Sequence, residues 1–317
     1  MKKMTRRMLA ALSATMMVAA LGLGGCAGGD GAQENGSASD AGAGGGSSAA
    51  KTQGAEPAGE PAGEAVTLQI FAANSLTKAM AEAQELYTQQ NPNVTFGDTQ
   101  YEASGTLNEM LGAGQYADIL ITASKGTMDD AVDAGYVDEA TRSTMFTNQL
   151  VFVTKEGGEL AGTDVTLRDV AAGAYTLSVG DENVPAGNYA CQALSTVGAY
   201  IEPDGTTGAD ATGKGGEFSD ALKGKVTLGG KVGDVCKYAE TGDVDLAMVY
   251  TSDVYRMGGV TICSVVPDDT HRAITYPGAV TAQSEHAEAA RAFLEWCMTD
   301  EDCAKIWQEW GFDMATE

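Results

Sequence analysis

From Val66 onward the chain alternates short apolar runs with longer segments whose apolar residues recur at helical spacing. Val66 to Phe71 (VTLQIF) has the length and burial pattern of a strand. The segment from Ser75 (SLTKAMAEAQELYTQQNP) reads as a helix, capped by Asn74 or Ser75 and stopped before Pro92. Val94-Thr95-Phe96 predicts the next strand, Gly105 to Leu111 a helix, Ala117 to Ile121 (ADILI) a third strand, and Ser124 to Ala134 a helix closed by Gly135.

A second series opens at Gln149 to Thr154 (QLVFVT), a strongly apolar strand. It continues with the strand Tyr175 to Val179, a helix Asn188 to Gly198, the strand VTLGG from Val226, a helix Asp234 to Glu240 and the strand Leu246 to Tyr250. The intervening Ile201 to Gly216 is poor in apolar residues and reads as a surface loop. The tail offers Tyr276 to Val280, a helix from about His286 through Trp296, and further helical turns to Trp310, whose Trp and Phe residues read as core. Strand and helix in alternation predict an α/β fold of parallel-rich sheets flanked by helices.

The first 65 residues break this pattern. A basic start, an apolar run from Met8 to Leu23 and Leu23-Gly24-Gly25-Cys26 have the layout of a secretory signal, residues 1–25, ending in a lipobox. Residues 26–65 are almost all Gly, Ala, Ser, Glu, Asp and Pro, a composition that cannot bury enough apolar area to offset its ordering entropy. The expectation is a protein lipidated at Cys26, tethered to the outside of the cell membrane and free of any spanning helix. Several acyl chains, at about 0.8 kcal/mol per buried CH₂, suffice to hold it there.

Charge narrows the partners. Lys and Arg number 19 against 44 Asp and Glu, a net charge of −25, which argues against nucleic acid and against anionic lipid as a docking surface. It does not exclude a small anion, because backbone N–H groups and hydroxyls can hold one without a basic surface. Beyond Cys26 an odd number of cysteines remains: Cys191, Cys236, Cys263, Cys297 and Cys303. Outside the cell this implies a free thiol or an external pairing partner, and Cys297 could bridge Cys303 only if the helix breaks between them. No CxxC occurs and His271 and His286 stand apart, so no protein-coordinated metal cation is expected.

Two junctions place small polar side chains at predicted helix starts, Asn74-Ser75 and Ser104-Gly105-Thr106, and a third, Val184-Pro185-Ala186-Gly187, leaves backbone N–H groups free to donate. Each reads equally as ordinary capping; a pocket arises only if strand ends bring the junctions to one edge. Val232 precedes another helix and offers a backbone N–H, and Tyr250 ends the strand LAMVY with a phenol able to donate into a cleft.

Phe71-Ala-Ala-Asn-Ser-Leu-Thr77, Ser104-Gly-Thr-Leu107, Gly114-Gln-Tyr-Ala-Asp-Ile-Leu-Ile-Thr-Ala-Ser124, GDENVPAGNYA from Gly180, Ala247-Met-Val-Tyr-Thr-Ser-Asp253 and Tyr276-Pro-Gly-Ala-Val280 follow one another here. In order and spacing they resemble the periplasmic molybdate-binding proteins, the substrate-binding components of ABC importers. The resemblance implies a type II periplasmic binding protein fold with lobe 1 at 66–147 plus 276–317, lobe 2 at 148–275, and a cleft between them that closes over a tetrahedral oxyanion. It implies hydroxyl and backbone donors from Ser75 and Ser104, backbone donors from Ala186 and Val232, and the phenol of Tyr250. Asn74, where the family often has Ala, is a further candidate ligand or a cap that points away. Glu182, where Pro is usual, is expected on the rim, away from a dianion.

The resemblance also implies that the ligand is molybdate, with tungstate of nearly equal size and charge, that no cofactor is needed, and that the partners are a permease and its ATPase. A monomer is expected. Alternatives are a binder of sulfate or phosphate on the same fold, a tethered surface interaction protein, and, least supported, an enzyme using Ser75, Asp118 and His271, for which no GxSxG-like elbow exists.

Overall fold

The computed structural model describes residues 64–315. The expected signal segment, Cys26 and the expected tether up to residue 63 lie outside the described residues. Nine α-helices occur within them: α1 (Thr77–Gln90), α2 (Ser104–Gly112), α3 (Lys125–Asp133), α4 (Leu167–Ala171), α5 (Pro185–Ser195), α6 (Val232–Thr241), α7 (Thr251–Met257), α8 (Ala287–Thr299) and α9 (Glu301–Glu309).

Two mixed sheets organise two lobes. The first has six strands in the order Asp313–Met314, Ser143–Thr147, Thr275–Val280, Ile119–Ile121, Ile70–Ala73, Gln100–Glu102. Its last three are parallel, and Thr275–Val280 runs antiparallel to Ile119–Ile121. The second has five strands in the order Val226–Gly229, Leu177–Gly180, Leu246–Tyr250, Leu150–Lys155, Val260–Val265. Here too three consecutive strands are parallel; Leu150–Lys155 runs antiparallel to them, and Val260–Val265 antiparallel to Leu150–Lys155. Helices cover the sheets because the strands are buried on both faces, as the all-buried patterns of Ile70–Ala73, Ile119–Ile121 and Leu246–Tyr250 record. The chain passes from the first sheet to the second between Thr147 and Leu150 and returns before Thr275.

Several elements differ from expectation. Val66 to Phe71 is two strands: Val66–Leu68 pairs with Val94–Phe96, and Ile70–Ala73 enters the main sheet. Gln69 divides them, its N–H donating to the buried Asp118 Oδ2 at 2.8 Å. The strand leading to Ser104 is therefore Gln100–Glu102, not Val94–Phe96; its polar composition (QYE) hides it, since it is the sheet's edge. Ser143–Thr147 and Val260–Val265 are further strands without a clear apolar run. The loop 201–216 is bounded by a small hairpin in which Tyr200–Ile201 pairs with Glu217–Phe218.

At the C-terminal end the helix does break between Cys297 and Cys303. Asp300 ends α8 and caps α9, its Oδ1 accepting from the N–H groups of Asp302 and Cys303. Both cysteines are buried, and all five cysteines of the described region are free thiols. Trp307 and Phe312 are core residues packed around Phe146.

Candidate functional site

Asn74, Ser75, Ser104, Ala186, Val232 and Tyr250, drawn from both lobes, line one small cavity together with Ala73, Glu102, Ala103, Ala123, Val184 and Pro185. About 10 Å³ of it is open to the centre of a water-sized sphere, far below the several hundred Å³ typical of clefts for drug-sized molecules. Topology explains the convergence. Parallel strands deliver their C-terminal ends to one edge of each sheet. Ile70–Ala73 and Gln100–Glu102 carry Ser75 and Ser104 just beyond their ends, while Leu177–Gly180, Val226–Gly229 and Leu246–Tyr250 carry Ala186, Val232 and Tyr250.

Three helices begin at this cavity without a side-chain cap: α2 at Ser104, α5 at Pro185 and α6 at Val232. Away from the cavity, α3, α4 and α9 are capped by Ser124, Thr166 and Asp300, while α8 has no side-chain cap. First-turn N–H groups have no partner inside their own helix and carry the positive end of its dipole. Two of these are bonded across the cleft: Gly105 N donates to Asn183 O at 3.0 Å, and Gly233 N to Asn74 Oδ1 at 3.0 Å. Ala186 and Val232 lie in the first turns of α5 and α6 and line the cavity.

The hydroxyls are held in place from behind. Ser104 Oγ accepts from Ala123 N at 3.0 Å, which leaves its own proton to donate. Ser75 Oγ lies 3.0 Å from Tyr276 Oη. Tyr250 is 1 % exposed and its Oη has no partner among the described residues. Burial pushes its phenol well above the ordinary tyrosine range, with Tyr276 adding to the effect, so it remains a neutral donor.

Charges near the cavity are paired. Glu102 faces Lys231 at 3.1 Å across the cleft. On α7, Arg256 meets the fully buried Asp253 at 2.8 Å, and the other Asp253 oxygen accepts from Tyr250 N at 3.0 Å. Burial raises the Asp253 carboxyl, and the Arg256 guanidinium opposes that rise. Glu182 is exposed and outside the cavity wall.

Asn74 caps nothing. Its Oδ1 accepts from Gly233 N and from Arg256 Nη2 at 3.1 Å, and its Nδ2 donates to Tyr101 O at 3.2 Å. The reading of Asn74 or Ser75 as helix cap is corrected accordingly: a 3₁₀ turn Asn74–Leu76 precedes α1, and neither start has a side-chain cap. Ser75, Asp118 and His271 bond to separate partners, so they form no catalytic relay: Ser75 to Tyr276, Asp118 to Gln69, Tyr116 and Ser284, and His271 to Arg272 O.

Sequence reasoning missed Tyr276 as the support of Ser75, and Arg256 with Asp253 behind Tyr250. The i,i+3 spacing of Asp253 and Arg256 on one helix was the available signal for that pair; Tyr276 lies 201 residues from Ser75 and carries no local one.

Comparison with known proteins identifies the family. The profile of the bacterial extracellular solute-binding proteins matches residues 68–313. The chain belongs to that family. The molybdate-binding protein ModA of Escherichia coli (strain K12) is 30% identical over 252 residues, 77% of this chain and 88% of ModA. YvgL of Bacillus subtilis (strain 168), named as an ABC transporter substrate-binding lipoprotein, is 29% identical over 248 residues, 78% of this chain and 86% of YvgL. Among solved structures, the periplasmic molybdate-binding protein of Azotobacter vinelandii superposes with TM-score 0.62 at 16% identity, covering 78% of this chain and 100% of that one. The sulfate-binding protein SubI of Mycobacterium tuberculosis H37Rv superposes with TM-score 0.59 at 18% identity, covering 78% and 86%. At such identities the two structures speak for the two-lobed fold. The family resemblance read from the ordered motifs is thus the family found, and the chain is a substrate-binding protein of the ABC-importer type.

Proposed function

We propose that the chain binds molybdate, and tungstate with it, in the cavity between the lobes and presents it to an ABC permease. The observation that carries this reading is the character of the wall. It offers neutral donors from both lobes: the hydroxyls of Ser75 and Ser104, the N–H groups of Ala186 and Val232, and the unpartnered Tyr250 phenol. Such a wall suits a fully deprotonated tetrahedral anion. A protonated phosphate needs an acceptor for its hydrogen, and the one carboxylate of the wall, Glu102, is already paired with Lys231. Sulfate has shorter bonds to oxygen and meets preformed donors loosely. The relatives named for molybdate favour the larger anion, and molybdate and tungstate differ too little for hydrogen bonds to separate.

No cofactor takes part in this reading, and the protein acts as a monomer. Cys26 is its lipidated anchor, and the tether of residues 26–65 keeps the binder close to the permease, raising its effective concentration there. Lobe 1 comprises 66–147 and 276–317, lobe 2 comprises 148–275, and closure of one on the other is the state the permease reads. Calorimetric titration of the protein from residue 64 onward with molybdate, tungstate, sulfate and phosphate tests the ligand. Tight one-to-one binding of the first two with little heat from the others is expected. Tight sulfate or phosphate binding without molybdate keeps the fold and removes the ligand; silence from all four moves the role to a different solute or a surface partner.

A further inference from the structure

Asn74 sits in the wall of the cavity, yet both its side-chain polar atoms are bonded to protein. Its Nδ2 is anchored within its own lobe on Tyr101 O, and its Oδ1 receives two donors from the other lobe, Gly233 N at 3.0 Å and Arg256 Nη2 at 3.1 Å. Arg256 is itself fixed by Asp253, which is fully buried, and Asp253 in turn holds the backbone N–H of Tyr250. One side chain of the first lobe is therefore wired through Arg256 and Asp253 to the residue that presents its unpartnered phenol to the cavity.

Gly233 makes this junction tight. A Cβ there would lie 2.8 Å from Asn74 Oδ1 and 3.3 Å from Arg256 Nη2. No left-handed backbone demands glycine at Gly233, which lies in the first turn of α6; the space demands it. The second lobe can approach this closely only because that position has no side chain.

We propose that Asn74 is a positioning residue that sets how long the closed cleft holds its ligand, by latching the two lobes through Gly233 and Arg256. The inference rests on the reading of the cavity as the ligand site. The latch bonds exist only once the lobes have met, so they stabilise the closed state and leave the encounter of anion with the open cleft unchanged. Their loss appears in the dissociation rate, where differences between related complexes concentrate. Arg256 keeps its Asp253 partner when Asn74 is removed, so the buried charge stays paired.

The test is stopped-flow molybdate exchange on the wild type, Asn74→Ala and Gly233→Ala, with thermal unfolding as the check on folding. Ala suits a helix better than Gly, so Gly233→Ala carries no helix-propensity penalty, while its Cβ wedges the latch apart without removing a donor. Both variants are expected to release molybdate about ten- to a hundredfold faster, with association within about twofold of wild type. The double variant should be little worse than either single one, since both break the same contact. Unchanged release rates overturn the latch, and so does an effect of Asn74→Ala alone, which would make Asn74 a direct ligand. Should the wild type bind none of the four oxyanions, the functional reading fails separately. The latch is then judged from lobe-to-lobe distances between spin labels placed at the exposed Glu85 and Lys223. A closed population depleted in both variants supports it, and identical distributions overturn it.

Discussion

The hydroxyl of Ser75 stands 3.0 Å from the phenol of Tyr276, on a strand that the chain reaches only after building the whole second lobe. Ser75 is thereby aimed by a residue of the returning segment, and one wall of the cavity is complete only when that strand is in place. Tyr276→Phe keeps the ring, which packs edge-on against Phe312 and Tyr250, and removes the bond. The expected outcome is molybdate affinity weakened about tenfold at a stability cost near 1 kcal/mol, the ordinary net worth of a buried hydrogen bond. Calorimetry and urea unfolding measure the two effects separately.

Tyr250 carries the opposite expectation for stability. Its Oη is buried without a partner, and an unsatisfied buried polar group costs about 1–3 kcal/mol. Tyr250→Phe should make the ligand-free protein as stable as the wild type or more so, while affinity falls about tenfold or further. A variant that loses stability and keeps affinity would place the phenol in a structural role. The divergence of the two readouts separates a donor kept for a ligand from one that packs.

The pH response follows from the same group. A phenol donates only while protonated, and burial raises the Tyr250 and Tyr276 phenols well above their ordinary range. With folded pKa values raised, what these phenols contribute to stability is fully present below the unfolded value near 10 and is lost only as pH rises through the higher folded values. Neither histidine lines the cavity. Molybdate affinity measured between pH 6 and pH 9 should therefore be flat; a tenfold change in that window would point to a titrating ligand outside this set.

Gly187 tests the placement of α5. A Cβ on it would fall 2.2 Å from Gly180 O, a backbone atom that cannot swing aside. Gly187→Ala must push α5 away from the strand Leu177–Gly180, and a loss of about 1–3 kcal/mol is expected from the overpacking alone. Ala186 moves with the helix, so molybdate affinity should fall alongside stability. Unaltered unfolding of this variant would show that helix and strand are not in contact there.

Legibility in the sequence followed burial. Leu246–Tyr250 was bounded correctly because every residue in it is buried, whereas Gln100–Glu102, with one exposed and two half-buried residues, left no apolar trace. Ser75, Ser104, Ala186, Val232 and Tyr250 are candidates through the resemblance of the ordered motifs to the molybdate-binding proteins; the residue types at each junction, taken alone, read equally as helix capping. Asn74 was open between ligand and cap since its partners, Gly233 and Arg256, lie 159 and 182 residues away. Local pattern reports which face of an element is buried; it does not report which distant side chain meets it.

The most direct measurement is anomalous diffraction at the molybdenum edge from crystals grown with molybdate. One strong peak in the small cavity, within hydrogen-bond reach of Ser75, Ser104, Ala186, Val232 and Tyr250, is the predicted result. A second, larger cavity between the lobes is lined by Lys125, Lys214 and Arg272. A peak there, with the neutral cavity empty, would mean that the anion is held by charge and would contradict the account.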